Sequence, residues 1–254
     1  GQAKGIQVES VSYLRFESIE VTRAYQFGVS IAEAQHIEVK NMWVHDVDGV
    51  DNDNISGIHF LNVNHGQIHH SLIHDNYDRT NADTNGQKTE NSRNIVFFAG
   101  GNIKVNHNVI FQRPQTSASK TGACVGYKHC SDVTPSTFEV SHNTMWNCYD
   151  AAIQSYTYGG RFHHNLILNS TRAFRIWTSG GYTDLSDYII EKNTFYETQV
   201  LDYRPSTIIE GGGNYGGMIY RNNISVFSGP YTGDSGGMHN FDPYGPNFYY
   251  TANL

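Results

Sequence analysis

The sequence predicts an all-β solenoid, because one short asparagine-centred segment recurs along most of the chain. Seven copies share the same flanks and follow one another at intervals of 22 to 37 residues: 39–44, 68–73, 105–110, 140–145, 162–167, 190–195 and 220–225. Segment 16–21 fits the same template. We therefore expect about eight coils in one domain over residues 1–254, with an irregular tail from about residue 228.

Each copy has the two-residue alternation of a strand rather than the period of a helix. β-Branched, aromatic and polar residues follow one another, with Gly or Asn at the ends. The fourth position of the copies is Met42, Ser71, Asn108, Asn143, Asn165, Asn193 and Asn223. Asparagines that stack on parallel strands bond from coil to coil through their side-chain amides, so the spacing predicts an asparagine ladder.

The charge balance argues against two classes of partner. With 17 Lys and Arg against 24 Asp and Glu, the net charge is -7, and no basic run interrupts the chain. We therefore expect neither a nucleic acid nor a membrane surface as partner, and no apolar stretch is long enough to span a membrane. Coil sequence follows Gly1 almost directly, without a charged and then apolar signal, so we expect a mature or trimmed form.

The three cysteines fit no zinc-binding spacing. Cys124 and Cys148 lie about one coil apart and could pair. The interpretation that we favour from the sequence is that these cysteines are buried as free thiols inside the solenoid.

A second strand lies between consecutive copies, and its alternation predicts which residues face outward. The inward column is Val29, Ile58, Ile95, Val125, Ile153, Phe174 and Leu201. The first outward row is then Ser30, His59, Val96, Gly126, Gln154, Arg175 and Asp202, and the next is Ala32, Leu61, Phe98, Lys128, Tyr156, Trp177 and Arg204. Cations, aromatic rings and amides gather over the last four coils, which is unusual for a merely solvated sheet.

The segment Val125-Gly126-Tyr127-Lys128-His129, followed by His142-Asn143-Thr144, resembles the lysine strand of right-handed parallel β-helix polysaccharide lyases of the alginate lyase and chondroitinase B type. The resemblance implies a right-handed parallel β-helix, a secreted or periplasmic location, and an anionic polysaccharide as substrate. The chain departs from that family in its arginine, because Arg175 comes two coils after Lys128 rather than one.

This resemblance implies uronate β-elimination, for which the outward rows offer suitable groups. The proton at C5 of a uronate is weakly acidic, so its carboxylate must be neutralised while a base removes the proton. We expect Lys128 as base, Arg175 on the carboxylate, and Tyr156 or His129 as proton donor to the leaving oxygen. His59, Gln154, Trp177 and Arg204 are the expected substrate-binding residues.

Two other function classes remain open from the sequence. A β-helix glycoside hydrolase would need paired carboxylates, for which Asp202, Asp150 and Glu33 are the candidates. A noncatalytic carbohydrate-binding module would show the same aromatic residues without an essential lysine. Fold alone does not choose among these classes.

One loop is similar to a calcium-binding loop. Residues 81–90 follow the pattern Asx-x-Asx-x-Asx-Gly with a later Glu, which supplies hard oxygen ligands from alternate positions. The expected calcium ligands are Asn81, Asp83, Asn85 and Glu90.

Overall fold

The computed structural model describes residues 5–49, 55–77, 92–114, 122–128, 138–156, 159–177, 187–204, 217–226 and 249–251. Strands are the only regular elements in these ranges. These ranges contain no helix that is long and apolar enough to cross a membrane. In chain order they are β1 (Ile6–Glu9), β2 (Ser12–Glu17), β3 (Glu20–Thr22), β4 (Phe27–Lys40), β5 (Trp43–His45), β6 (Ser56–His69), β7 (Leu72–His74), β8 (Arg93–Gly101), β9 (Ile103–Asn106), β10 (Val109–Phe111), β11 (Ala123–Lys128), β12 (Phe138–Ser141), β13 (Thr144–Trp146), β14 (Ile153–Ser155), β15 (Gly160–His163), β16 (Leu166–Leu168), β17 (Arg172–Trp177), β18 (Tyr188–Glu191), β19 (Thr194–Tyr196), β20 (Gln199–Arg204), β21 (Ile219–Arg221), β22 (Ile224–Val226) and β23 (Tyr249–Thr251).

The strands form a 15-stranded sheet and an 8-stranded sheet, and the described strand pairs are parallel. The larger sheet has the order β20-β17-β14-β11-β8-β6-β9-β12-β15-β18-β21-β23, with β4 beside β6 and β1 and β2 beside β4. The smaller sheet has the order β22-β19-β16-β13-β10-β7-β5-β3. From β8 to β22, two strands of the larger sheet are followed by one strand of the smaller sheet in each repeat, which is consistent with a β-helix or solenoid.

A residue with positive φ turns the chain from the larger sheet into the smaller one in each repeat. These residues directly precede the fourth position of each copy and have φ between 49° and 58°: Ser18, Asn41, His70, His107, His142, His164, Lys192 and Asn222. Asn and His are enriched in the left-handed region among residues other than Gly. The recurring His-Asn and Asn-Asn pairs of the sequence therefore mark a sharp corner.

The asparagines that follow these corners are buried and bonded to one another. Asn108 Nδ2 donates to Asn143 Oδ1 over 3.0 Å, and the same bond joins Asn143 to Asn165, Asn165 to Asn193, and Asn193 to Asn223. Each of these amides also donates to a backbone carbonyl of the preceding repeat, such as Ile68 O for Asn108. The bonds satisfy polar groups that would otherwise be costly to bury.

Apolar side chains stack in columns between the sheets. Val29 pairs in register with Ile58, Ile58 with Ile95, Ile95 with Val125, and Val125 with Ile153, and all five are fully buried. The inward column that the sequence predicts is therefore confirmed over these strands.

The interpretation of the cysteines as free thiols is wrong for two of them. Cys124 in β11 and Cys148 after β13 form a disulfide with a Cα–Cα distance of 5.4 Å. The bond joins a strand of the larger sheet to the segment that follows β13 of the smaller sheet. It therefore links the start and the end of one repeat covalently. Because the chain has three cysteines, the sequence alone did not reveal which two would form a disulfide.

Part of the tail predicted to be irregular is a strand. β23 pairs in parallel with β21, which matches Tyr249 to Ile219 and Thr251 to Arg221. The rest of residues 228–254 lies outside the described ranges.

Candidate functional site

The predicted outward rows run along the larger sheet in the expected register. Ser30 pairs with His59, His59 with Val96, Val96 with Gly126, Gly126 with Gln154, and Gln154 with Arg175. In the neighbouring row, Phe98 pairs with Lys128, and the Tyr156 amide donates to Tyr127 O in the strand that carries Lys128. Of the predicted site residues, five therefore lie side by side on one face: His59, Lys128, Gln154, Tyr156 and Arg175.

Several polar side chains of these outward rows are buried. The exposed fraction is 1% for Gln154, 6% for Arg175 and Lys128, and 8% for His59. These residues point outward from the sheet as predicted from the alternation, and they form a buried polar cluster. Charged groups at such positions require partners within the protein.

Arg93 is the central residue of this cluster, and the sequence analysis missed it. It lies at the start of β8 and is fully buried. Its side chain crosses Gly126 on the neighbouring strand, and its Nε donates to Gln154 Oε1 over 2.8 Å. Gly126, the one glycine of the outward row, was the sequence signal for such a residue, because a glycine leaves room for a long side chain from a neighbouring strand.

Asp150 organises a second part of the cluster. Arg175 Nη1 lies 2.5 Å from Asp150 Oδ1, and Arg172 Nη1 lies 3.2 Å from the same oxygen. Gln154 Nε2 donates to Asp150 Oδ2 over 2.9 Å, so Gln154 connects Asp150 with Arg93. Gln154 and Arg175, which we expected to contact the substrate, are thus bonded to other protein groups. Asp150, which we considered only for a hydrolase, binds two arginines.

Lys128 lies between two aromatic rings at the edge of the cluster. Its Nζ is 5.4 Å from the centroid of Phe98 and 5.5 Å from the centroid of Tyr156. An ammonium over the face of an aromatic ring is attracted by the ring quadrupole. The rings therefore hold the lysine terminus in a defined place.

Tyr156 remains protonated at neutral pH. Burial raises the pKa of its hydroxyl to about 12, although the nearby Arg93 opposes that shift. Arg93 Nη2 donates to the Tyr156 hydroxyl over 3.4 Å. The phenol can therefore act as a proton donor rather than as a base.

His59 occupies a slot between two phenylalanines at the other end of the row. Its ring stacks on Phe27 with centroids 4.3 Å apart, and Phe98 meets it edge-on at 5.6 Å. Ser30 Oγ lies 3.2 Å from His59 Nδ1. Burial lowers the pKa of His59 to about 4, so the ring is neutral at physiological pH.

The remaining predicted site residues are placed only in part. Trp177 and Arg204 pair in register at the ends of β17 and β20, and their side chains are outside the described part of the structure. His129 lies outside the described ranges, as does the whole predicted calcium loop with Asn81, Asp83, Asn85 and Glu90. Within the described ranges, no group of three or more His, Cys, Asp or Glu side chains could hold a metal ion.

No protein-family model and no curated protein sequence matches the chain. Among solved structures, the chain is similar to the crystal structure of DFA-IIIase from Arthrobacter chlorophenolicus A6, with a TM-score of 0.41 and 14% sequence identity. The similarity covers 82% of this chain and 45% of that protein, so the chain spans less than half of its length.

Proposed function

We propose that the chain is a polysaccharide lyase that cleaves a uronate-containing polysaccharide by β-elimination at the edge of the polar cluster, where Lys128 lies. One observation carries this proposal: the Lys128 amine lies over two aromatic rings, one of which, Tyr156, is itself bonded to a buried guanidinium group. A base, a phenol donor and cations thus share one face of one sheet.

The charges of the cluster favour an anionic substrate. Among its described side chains, Arg93, Arg172 and Arg175 carry guanidinium groups, and Asp150 is the one carboxylate. A uronate carboxylate brought to this face would meet an excess of positive charge at low local dielectric. Neutralising that carboxylate makes the adjacent C5 proton easier to remove.

In the proposed reaction, the C5–H bond breaks and the proton goes to the neutral Lys128 amine. The C4–O bond then breaks, a double bond forms between C4 and C5, and the leaving oxygen takes a proton from Tyr156. The raised pKa of Tyr156 supports this role, because the hydroxyl keeps its proton until the leaving group needs it. His129 stays the second candidate for this donor.

Hydrolysis is the less favoured chemistry. A glycoside hydrolase needs two carboxyl groups across the scissile bond. Asp150 is bound by two arginines and Gln154, while Glu33 is an exposed residue that accepts from Asn62 over 2.6 Å. Among the described side chains, the cluster therefore has no second carboxylate to complete such a pair.

Further parts of the proposal extend it beyond the site. We propose a right-handed winding of about eight coils, which parallel connections strongly favour, and calcium binding by loop 81–90. The disulfide between Cys124 and Cys148 supports a secreted or periplasmic location, since disulfides persist in oxidising compartments.

Incubation with alginate, pectate, chondroitin and hyaluronan tests the function. Ultraviolet absorbance should rise with at least one of them, because β-elimination leaves a conjugated unsaturated uronate at the new chain end. Shortened chains without unsaturated ends would assign the protein to the hydrolases, with Asp202, Asp150 and Glu33 as the residues to examine. Binding of these polymers without cleavage would indicate a noncatalytic module.

A further inference from the structure

A stack of exposed rings lies on the larger sheet away from the Lys128 site. The Tyr13 ring stacks on His36 with centroids 4.6 Å apart and an interplanar angle of 8°. His36 stacks in turn on His65, with centroids 4.7 Å apart and an angle of 6°. Tyr13 is 80% exposed, so this stack contributes little to the core.

The stack is interrupted at the next repeat. Asn64 pairs with Gly101 and Gln67 with Lys104, which aligns His65 with Asn102. Tyr13, His36, His65 and Asn102 all have φ between 54° and 60°, so the four residues occupy equivalent corners. Asn102 has no ring to continue the column, and the stack ends at His65.

A cleft opens where the ring column stops. Its volume is about 370 Å³, and the residues that line it include His65, Gly66, Gln67, Asn102, Lys104 and Glu139. Lys104 Nζ lies 3.9 Å from Glu139 Oε2, so the two charges of the lining balance. Gln67 and Asn102 add two amides, each with donor and acceptor groups. The cleft thus combines one ring with a rim of polar groups of both kinds.

We propose that this cleft is a second saccharide site, which binds one neutral pyranose ring. A pyranose has an apolar C–H face that can lie against an imidazole ring, and its hydroxyls can bond to amide, ammonium and carboxylate groups. A flat aromatic ligand would instead leave those polar groups desolvated without partners, which is costly. The balanced charge distinguishes the cleft from the cationic Lys128 cluster and favours an uncharged sugar.

The two sites lie on different strands. The cleft is built from the second half of β6 with β9 and β12, while Lys128 and Gln154 belong to β11 and β14. The proposal of a second site is therefore independent of the lyase proposal, and each can fail without the other.

Saturation-transfer NMR with methyl β-D-glucopyranoside, methyl β-D-galactopyranoside and methyl α-D-mannopyranoside tests the cleft. The measurement contains no turnover step, so its outcome does not depend on lyase activity. We expect transfer to the ring protons of at least one glycoside, and loss of most of that transfer in His65→Asn. Asparagine tolerates positive φ, so this variant removes the ring without straining the corner.

His107→Asn is the matched control. His107 is also an exposed histidine at a corner with φ of 54°, but it belongs to a different stack, between His70 and His142. Transfer should be unchanged in this variant. The proposal is overturned if no glycoside shows transfer, if transfer survives in both His65→Asn and Gln67→Ala, or if indole gives transfer while the glycosides do not.

Discussion

The Arg93 side chain lies directly over Gly126, so that a Cβ on residue 126 would overlap the Arg93 Cδ. The glycine therefore lets Arg93 cross β11 and reach Gln154 on β14. Glycine serves here through its lack of a side chain rather than through an unusual backbone conformation.

Gly126→Ala should destabilise the protein, because the new methyl group forces Arg93 out of its place. We expect the free energy of unfolding in urea to fall by roughly 1 to 3 kcal/mol, as for overpacked cores. The same substitution in an Arg93→Ala background should cost much less, since the overlapping atoms are gone. Equal losses in the two backgrounds would show that Arg93 does not limit the space at Gly126.

Lys128→Met should remove most lyase turnover while the far-ultraviolet circular dichroism stays unchanged. Removal of a general base typically slows an enzyme by about 10² to 10⁴. Lys40→Met is the control, because Lys40 belongs to another part of the larger sheet, where its Nζ lies 3.4 Å from Glu17. Full turnover in Lys128→Met would refute its assignment as the base.

Asp150→Asn should weaken the fold, because the buried Arg175 and the partly buried Arg172 lose the carboxylate that binds them. Breaking a buried ion pair by removing one partner costs about 3 to 5 kcal/mol, which urea unfolding can measure. Glu17→Gln removes an exposed carboxylate that also bridges two cations, Arg15 and Lys40, and should have a much smaller effect. Similar losses in both variants would contradict the central place of Asp150.

The stability of the protein should decrease as the pH falls from 6.5 towards 4, in part because of His59. Burial lowers the pKa of His59 from 6.5 to about 4 in the folded state, so below 6.5 the unfolded chain takes up the proton first. The free energy of unfolding should lose up to about 3 kcal/mol from this group over that range and nothing above it. Urea unfolding at several pH values measures this loss.

His59→Phe should reduce the slope of stability against pH, since a phenyl ring fits the same slot without titrating. Some slope should remain, because desolvation and neighbouring basic side chains also lower the pKa values of His70, His142 and His163. An unchanged slope in His59→Phe would mean that this ring is not held neutral.

Strand register could be predicted from the sequence because each repeat carries its own signal. Alternation around Ile58, Val125 and Ile153 identifies the inward column, and pairing between neighbouring repeats follows once the copies are aligned. These are local patterns that a single chain displays directly.

The burial of the side chains in the outward row could not be predicted in the same way. Whether Lys128 and Gln154 are open or buried depends on residues from other places in the chain, above all Arg93, which is 61 residues before Gln154. The pairing of Asp150 with Arg172 and Arg175, and the disulfide between Cys124 and Cys148, likewise depend on distances in space that alternation does not encode.

The parallel pairing of neighbouring repeats also sets the order in which a chain leaving the ribosome can fold. Each repeat needs only its predecessor as a template, since successive asparagines such as Asn143 and Asn165 are 22 residues apart. Cys124 and Cys148 are separated by 24 residues, so both are available before β15 and every later strand have been synthesised. During synthesis, the disulfide can therefore form in the repeat that carries Lys128 before the repeat that supplies Arg172 and Arg175 has been made.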